Sequence, residues 1–242
     1  MPVFCYVIVV LSAISIVSPM NKTVELVNAW SAFEEKHPDG NMEDFCRYHL
    51  IHRREIENKD PLVGGVIPDH VEGLLLKILG RISRLNTIYA NAAFAGTGVD
   101  QLEEFGILLT IHREKNPKKT EVIYSMLLEL SSGTDMLSRL IKKGFIQEYP
   151  DEEDKRAKRL TLTPEGKDAL ERSRIQIGKV AHMLLLDMEQ DDKQLCVKLL
   201  KNVEQKFSAL FQEHKGKNFD DIYNSIHSDT PPPLSSQTAP AP

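Results

Sequence analysis

A chain of 242 residues, 41% hydrophobic and 27% charged, has the composition of an ordinary globular protein, which excludes collagen-like, mucin-like and wholly disordered chains. Its three cysteines, Cys5, Cys46 and Cys196, stand far apart with no CxxC and no Cys/His cluster, so the sequence argues against a disulfide framework, a zinc finger and an iron–sulfur site and reads as cytoplasmic. The net charge of −5 counts against a nucleic-acid partner only as an average, and the sign has to be taken segment by segment.

Residues 1–19 differ from the rest. Val3–Val17 is an apolar run broken only by Ser12, Ala13 and Ser15, and no charge precedes Lys22. The run lacks the basic start of a secretory signal and falls short of the roughly 20 residues of a bilayer span, so a membrane is not the expected partner. Met20 is a candidate start, since Met20-Asn21-Lys22 opens a charged, helix-forming stretch. Residues 20–60 then read as a helical extension. Lys22–Lys36 ends at His37-Pro38-Asp39-Gly40, Met42–Lys59 ends at Asp60-Pro61, and Gly64-Gly65 marks a linker.

Residues 69–98 hold the first long helix. Asp69 and Glu72 have the spacing of a reciprocal cap. Val71, Leu74, Leu75, Ile78, Leu79, Ile82, Leu85, Ile88 and Tyr89 repeat at helical spacing up to about Ala95, where Gly96-Thr97-Gly98 stops the helix. Three shorter helices follow: Asp100–Arg113, broken by Asn116-Pro117; Thr120–Leu128; and Ser131–Lys143, ended by Gly144. From Phe145 the apolar period changes to two. Ile146–Tyr149 and Arg159–Thr163 flank a charged loop, Pro150–Lys158, as a hairpin does.

Thr163-Pro164-Glu165 has the capping residue and first-turn proline that open a helix, here running to about Met188. Asp191 with Gln194 starts the last helix, to about His214, and 168–214 is assigned to these C-terminal helices. Residues 225–242 form a Pro-rich tail with too little apolar surface to order itself.

The order is a long helix, three short helices, a two-stranded wing and two long helices. Arg139-Leu140-Ile141-Lys142-Lys143-Gly144-Phe145-Ile146, Asp151-Glu152-Glu153-Asp154-Lys155-Arg156 and Leu160-Thr161-Leu162-Thr163-Pro164-Glu165-Gly166 carry a resemblance. Over about Asp69–Phe211 the chain resembles the multiple-antibiotic-resistance regulator (MarR) family of winged helix-turn-helix repressors. The resemblance implies a mainly α fold with a small β-hairpin, a DNA-binding domain at 99–167, and a homodimer built from the outer helices. It further implies double-stranded DNA with a palindromic operator as partner, and affinity modulated by a small ligand or by thiol oxidation. The family's wing usually reads Asp-Arg-Arg. Asp154 and Arg156 keep that pattern and Lys155 departs from it; the aspartate matching Asp154 orients a wing arginine in the family.

The residues support this reading independently. On a helical wheel of Ser131–Lys143, Gly133, Met136, Leu137 and Leu140 share the packed face; Ser131, Thr134, Asp135, Ser138 and Lys142 point outward, with Arg139 at the flank. Hydroxyls there can meet base edges or phosphates, and cations at the C-terminal end can reach the backbone. The candidate DNA contacts are therefore Thr120, Ser131, Ser132, Thr134, Ser138, Arg139, Lys142, Lys143, Asp154, Lys155, Arg156 and Lys158. Asp135, awkward beside phosphates, is assigned a capping role with Ser132 in preference to accepting from cytosine N4. In the wing, Asp151–Asp154 precede Lys155, Arg156, Lys158 and Arg159, so the acids can hold the cations in place. Arg156 is the better candidate for a minor groove.

From His112 to Lys167 there are twelve Lys and Arg and ten Asp and Glu, net +2, which leaves about −7 for the remainder. A Gly-rich phosphate loop, HExxH and GxSxG are absent, so no enzyme activity and no cofactor are expected. His49 and His52 lack a ligand set, and Cys46 and Cys196 read as small buried hydrophobes. Leu195, Leu199, Val203, Phe207, Leu210 and Phe211 make an apolar stripe for dimerisation. Val24, Leu26, Val27, Trp30, Phe33, Phe45, Tyr48 and Ile51 should pack the N-terminal extension on the dimerisation end, away from DNA. The rival reading is a winged-helix module that binds protein without specific DNA binding. A membrane-tethered regulator rests on Val3–Val17 alone.

Overall fold

The computed structural model describes residues 21–57, 68 and 70–227. Val3–Val17, Met20, the Gly64-Gly65 linker, the Asp69 cap and the tail beyond His227 lie outside the described residues. The chain divides into two compact units, one up to Pro68 and one from Asp69 onward.

In the first unit, α1 (Lys22–Glu34) and α2 (Met42–Glu57) form a hairpin. Asn41 Oδ1 accepts the amides of Glu43 (2.8 Å) and Asp44 (3.1 Å), while Asp44 Oδ2 accepts the Asn41 amide (3.1 Å), a reciprocal cap that fixes the start of α2. Between the helices Phe33 and Phe45 are buried, with ring centroids 5.6 Å apart, and Trp30 and Tyr48 pack on them at 5.1 and 5.3 Å. Inside the hairpin Phe33 and Phe45 are buried and Trp30 and Tyr48 half-buried. Val24, Leu26, Val27 and Ile51 are exposed instead, because an aromatic cluster between two helices leaves their outer faces uncovered.

The second unit is mainly helical with one small hairpin. In chain order it contains α3 (Val71–Ala93), α4 (Leu102–Glu114), α5 (Lys119–Ser125), α6 (Leu130–Lys142), β1 (Ile146–Pro150), β2 (Lys158–Leu162), α7 (Pro164–Leu184), α8 (Gln190–His214) and α9 (Phe219–His227). The strands pair antiparallel with Ile146 opposite Leu162 and Pro150 opposite Lys158. The core gathers one face of each short helix: Phe105, Ile107, Leu108 and Ile111 from α4, Val122 and Ile123 from α5, Leu137 and Leu140 from α6. Ile146 and Leu160 close it from the wing, and Ala90, Ala169 and Leu170 from the long helices.

Local chemistry explains the boundaries. Gly144, at φ +75°, follows α6, with the Gly144 amide donating to Ile141 O (2.9 Å) and the Phe145 amide to Leu140 O (3.0 Å). This left-handed cap satisfies the last carbonyls and turns the chain into β1. Thr163 Oγ1 accepts the Gly166 amide (2.9 Å) and donates to Gly144 O (2.6 Å), so one hydroxyl starts α7 and ties it to the end of α6. Helix α5 is shorter than Thr120–Leu128, since Leu127 takes a left-handed conformation at φ 53°.

Three expectations are corrected. A further helix, α9, occupies 219–227 and takes in the first three residues of the segment expected as a disordered tail from 225; Asn218 Oδ1 accepts the Asp221 amide (2.9 Å) and caps it. Cys46 and Cys196 are exposed rather than buried. Ser132 and Asp135 do not cap α6: its N-cap is Glu129, so Ser132 is already in the first turn and Asp135 in the second.

Candidate nucleic-acid interface

Helices α5 and α6 cross where Gly133 lies against Ile123. A Cβ on Gly133 would fall 2.6 Å from Ile123 Cγ2 and 2.7 Å from Cγ1, so the missing side chain sets how close the two helices come. The α5 start is fixed by the Lys118 amide donating to Glu121 Oε2 (2.8 Å). Lys119 pairs with Glu148 of β1 at 2.8 Å, and Thr120 beside it is exposed.

On α6, Gly133, Leu137 and Leu140 are buried and Met136 is half-buried, as the helical wheel requires. Ser131, Ser132, Asp135 and Lys142 are exposed, and Thr134 and Ser138 are half-buried. Ser138 Oγ donates to Thr134 O at 2.8 Å, so its oxygen can still accept a hydrogen bond from outside. Arg139 and Lys143 leave this group. The Lys143 ammonium lies 2.7 Å from Asp100 Oδ2, 2.8 Å from Glu104 Oε2 and 3.3 Å from Gly98 O. Partial burial would lower its pKa, but hydrogen bonds to Asp100 and Glu104 and their charges hold it above the ordinary lysine value. Arg139 turns the same way, to Gln101 Oε1 (3.5 Å) and Glu104 Oε1 (3.7 Å). Glu104, buried on α4, thus draws two of the expected phosphate-binding cations into a brace between α4 and α6.

The wing tip is organised by Asp151. Its carboxylate is buried and accepts the amides of Asp154 (2.8 Å) and Glu153 (3.1 Å) through Oδ1 and Arg159 Nε through Oδ2. The Asp154 amide foremost, and Arg159 with it, hold the Asp151 carboxyl below the usual carboxylate range against the opposing effect of burial. Arg159 also donates from Nη1 to Asn116 O (2.8 Å), and the Leu160 amide to Pro117 O (3.0 Å), which fasten β2 to the turn between α4 and α5. Asp154, Lys155, Arg156 and Lys158 are exposed beyond this anchor. The Arg156 side chain is 97% exposed, with Nε 3.7 Å from Asp154 Oδ1 and its amide donating to the same oxygen at 3.0 Å. Asp154 therefore sits where it can orient Arg156, while Asp151 shapes the loop. An aspartate directly after a strand, followed by amides at the second and third positions, was the available signal for that second role.

A further contact was not anticipated. Lys215, just past α8, lies 2.8 Å from Glu129 at the head of α6 and over the Tyr124 ring. Among the described residues no group of three or more His, Cys, Asp or Glu side chains is placed to hold a metal ion, and no helix is long and apolar enough to cross a membrane.

Residues 101–158 match the model of the MarR family. No curated protein matches the chain. Among solved structures, a crystal structure of MarR is 21% identical, with a TM-score of 0.54, and the match covers 62% of this chain and 99% of that one. A mutant of MarR from E. coli complexed with operator DNA is 22% identical, with a TM-score of 0.50, covering 53% and 92%. A MarR-family transcriptional regulator from Rhodococcus sp. RHA1 is 15% identical, with a TM-score of 0.50, covering 58% and 96%. These likenesses show a common fold over more of the chain than residues 101–158.

Proposed function

Since residues 101–158 form a winged-helix domain of the MarR family, we propose that the protein is a DNA-binding transcriptional regulator that acts by binding rather than by catalysis, in the cytoplasm. The observation that carries this reading is the division of α6. One face is locked into the core by Gly133, Leu137 and Leu140, and the opposite face presents Ser131, Ser132, Asp135 and Lys142, all exposed. Such a helix enters a major groove with its N-terminal residues toward base edges. Arg156, exposed at the wing tip, then addresses the neighbouring minor groove, whose narrow A·T-rich stretches attract a guanidinium.

The active species is a homodimer. No residue of α8 is buried although it carries Leu195, Leu199, Val203 and Phe207 along one line, and α3 exposes Val71, Leu76, Ile82 and Ile88. A second copy of the chain covers such a surface and places two reading heads on a palindromic operator. A small effector binding among these helices would change the spacing of the heads.

Mobility shifts with DNA from the protein's own promoter test the reading. Binding to a discrete site, with affinity well above that for random DNA and a steep loss with salt, is the expected result. Equal affinity for every sequence would overturn it in favour of a protein-binding module.

A further inference from the structure

Asp135 stands on the outward face of α6 without a structural task. It cannot cap the helix, because Glu129 is the N-cap and the Gly133 amide already donates to Glu129 O at 2.8 Å. The amides still open at that end belong to residues 130–132, a full turn before Asp135. Its natural partner within the helix is Arg139, four residues on, in the spacing that pairs opposite charges on one face. Arg139 is directed to Gln101 and Glu104 of α4 instead. Lys143, the next cation along, is held by Asp100 and Glu104. Among the described residues, Asp135 has neither a hydrogen-bond partner nor an ion-pair partner, and it is exposed.

An unpaired carboxylate on a face turned toward DNA is repelled by every phosphate it passes. Among base edges in the major groove, the N4 amino group of cytosine is the donor suited to a carboxylate, since guanine and thymine offer it only acceptors. Adenine offers N6, but with the N7 acceptor beside it. Asp135 lies in the second turn, between the exposed Ser131 and Ser132 one turn before and Ser138 one turn after, in the half of a recognition helix that meets bases.

Resting on the DNA-binding reading above, we infer that Asp135 is a specificity-determining residue that accepts a hydrogen bond from cytosine N4 in each half-site, and that the same charge weakens binding to sequences lacking that cytosine. The brace that Glu104 makes with Arg139 and Lys143 is what keeps the carboxylate free for this contact. A single carboxylate thereby serves as attraction for one base and as repulsion elsewhere.

The test is selection of sites from a randomised double-stranded DNA pool by the full-length protein and by its Asp135→Ala and Asp135→Asn variants. The wild type should select a site with an invariant C·G pair at one position per half-site, and replacing that pair should weaken binding about fivefold or more. Asp135→Ala should accept any base pair there while keeping the rest of the site, and should bind random DNA more tightly than the wild type. Asp135→Asn should shift the preference at that position toward adenine, which an amide reads at N6 and N7. Both changes replace an exposed side chain with no partner, so the thermal unfolding midpoint should stay close to that of the wild type. If all three proteins select the same site with the same discrimination, the assignment of Asp135 is wrong and the DNA-binding reading stands. If the wild type selects no site at all, both fall.

Discussion

Gly133→Ala is the substitution in which local preference and packing oppose each other most directly. Alanine in place of glycine inside a helix gains about 0.8–1.0 kcal/mol of helical preference. At Gly133 the added methyl would lie 2.6 and 2.7 Å from two carbons of Ile123, which is fully buried and stiff at its branched Cβ. Neither helix can give way without disturbing the core, and overpacking of this kind costs about 1–3 kcal/mol. The expected net change is a loss of about 0–2 kcal/mol. Gly178, on α7, is the control: a methyl there meets nothing within 4 Å, so Gly178→Ala should stabilise by about 0.5–1 kcal/mol. Urea unfolding at one protein concentration, with equal m-values, measures both. The difference between the variants cancels helical preference and reports the clash itself. Ile123→Ala should relieve it, so that Gly133→Ala costs less in that background than alone. Gly133→Ala as stable as Gly178→Ala would refute the close approach of α5 and α6 as the constraint.

Three further outcomes are expected. Arg156→Ala should leave stability within about 0.5 kcal/mol of the wild type yet weaken binding to its DNA site and lower the salt dependence by about one unit of slope, with Lys155→Ala milder; unaltered affinity and slope would remove the wing from the interface. Deleting the chain from Gln190 onward should turn a dimer into a monomer or an aggregate in sedimentation, and an unchanged dimer would transfer assembly to α3 and α7. The Asp151 carboxyl titrates below its ordinary value, so the order it confers is complete above about pH 4 and is lost as pH falls through the depressed value. Protection of the Glu153 and Asp154 amides from hydrogen exchange, taken relative to the unstructured rate at each pH, should therefore fall in acid, whereas Asp151→Ala, which has no acceptor oxygen, should show weak protection at every pH.

The second unit was legible in the sequence wherever a boundary is set by one residue's own chemistry. Gly144 and Thr163-Pro164 announce the end of α6 and the start of α7 because a left-handed cap and a first-turn proline depend only on neighbours in the chain. Asp135 misled for the same reason. Its spacing from Ser132 fits a cap, but spacing does not show where the helix begins, and the helix begins earlier, at Leu130. The destinations of Arg139 and Lys143 were not legible, since both are set by Glu104, a buried carboxylate some 35 residues earlier on another helix. The wheel did place the packed face of α6 correctly, because helical period alone decides which side meets the core. Helix α9 was overlooked although Asn218 and Asp221 stand at capping spacing, since the segment is too short to show a convincing apolar repeat.

The attachment of β2 to the α4–α5 turn, through Arg159 to Asn116 and Leu160 to Pro117, makes the head a calliper with one setting. Its two prongs, α6 and the wing tip, share a common base. The gap between them therefore fits one phase of the double helix, and inserting or removing a base pair between the parts of a half-site that the prongs touch takes one of them off its groove. In the proposed homodimer the adjustable dimension would be the separation of two callipers, carried by the long helices. Operators should consequently tolerate a changed spacer between half-sites better than a changed length within one, and any signal that alters DNA binding through the helices acts on the distance between heads rather than on the reading of bases.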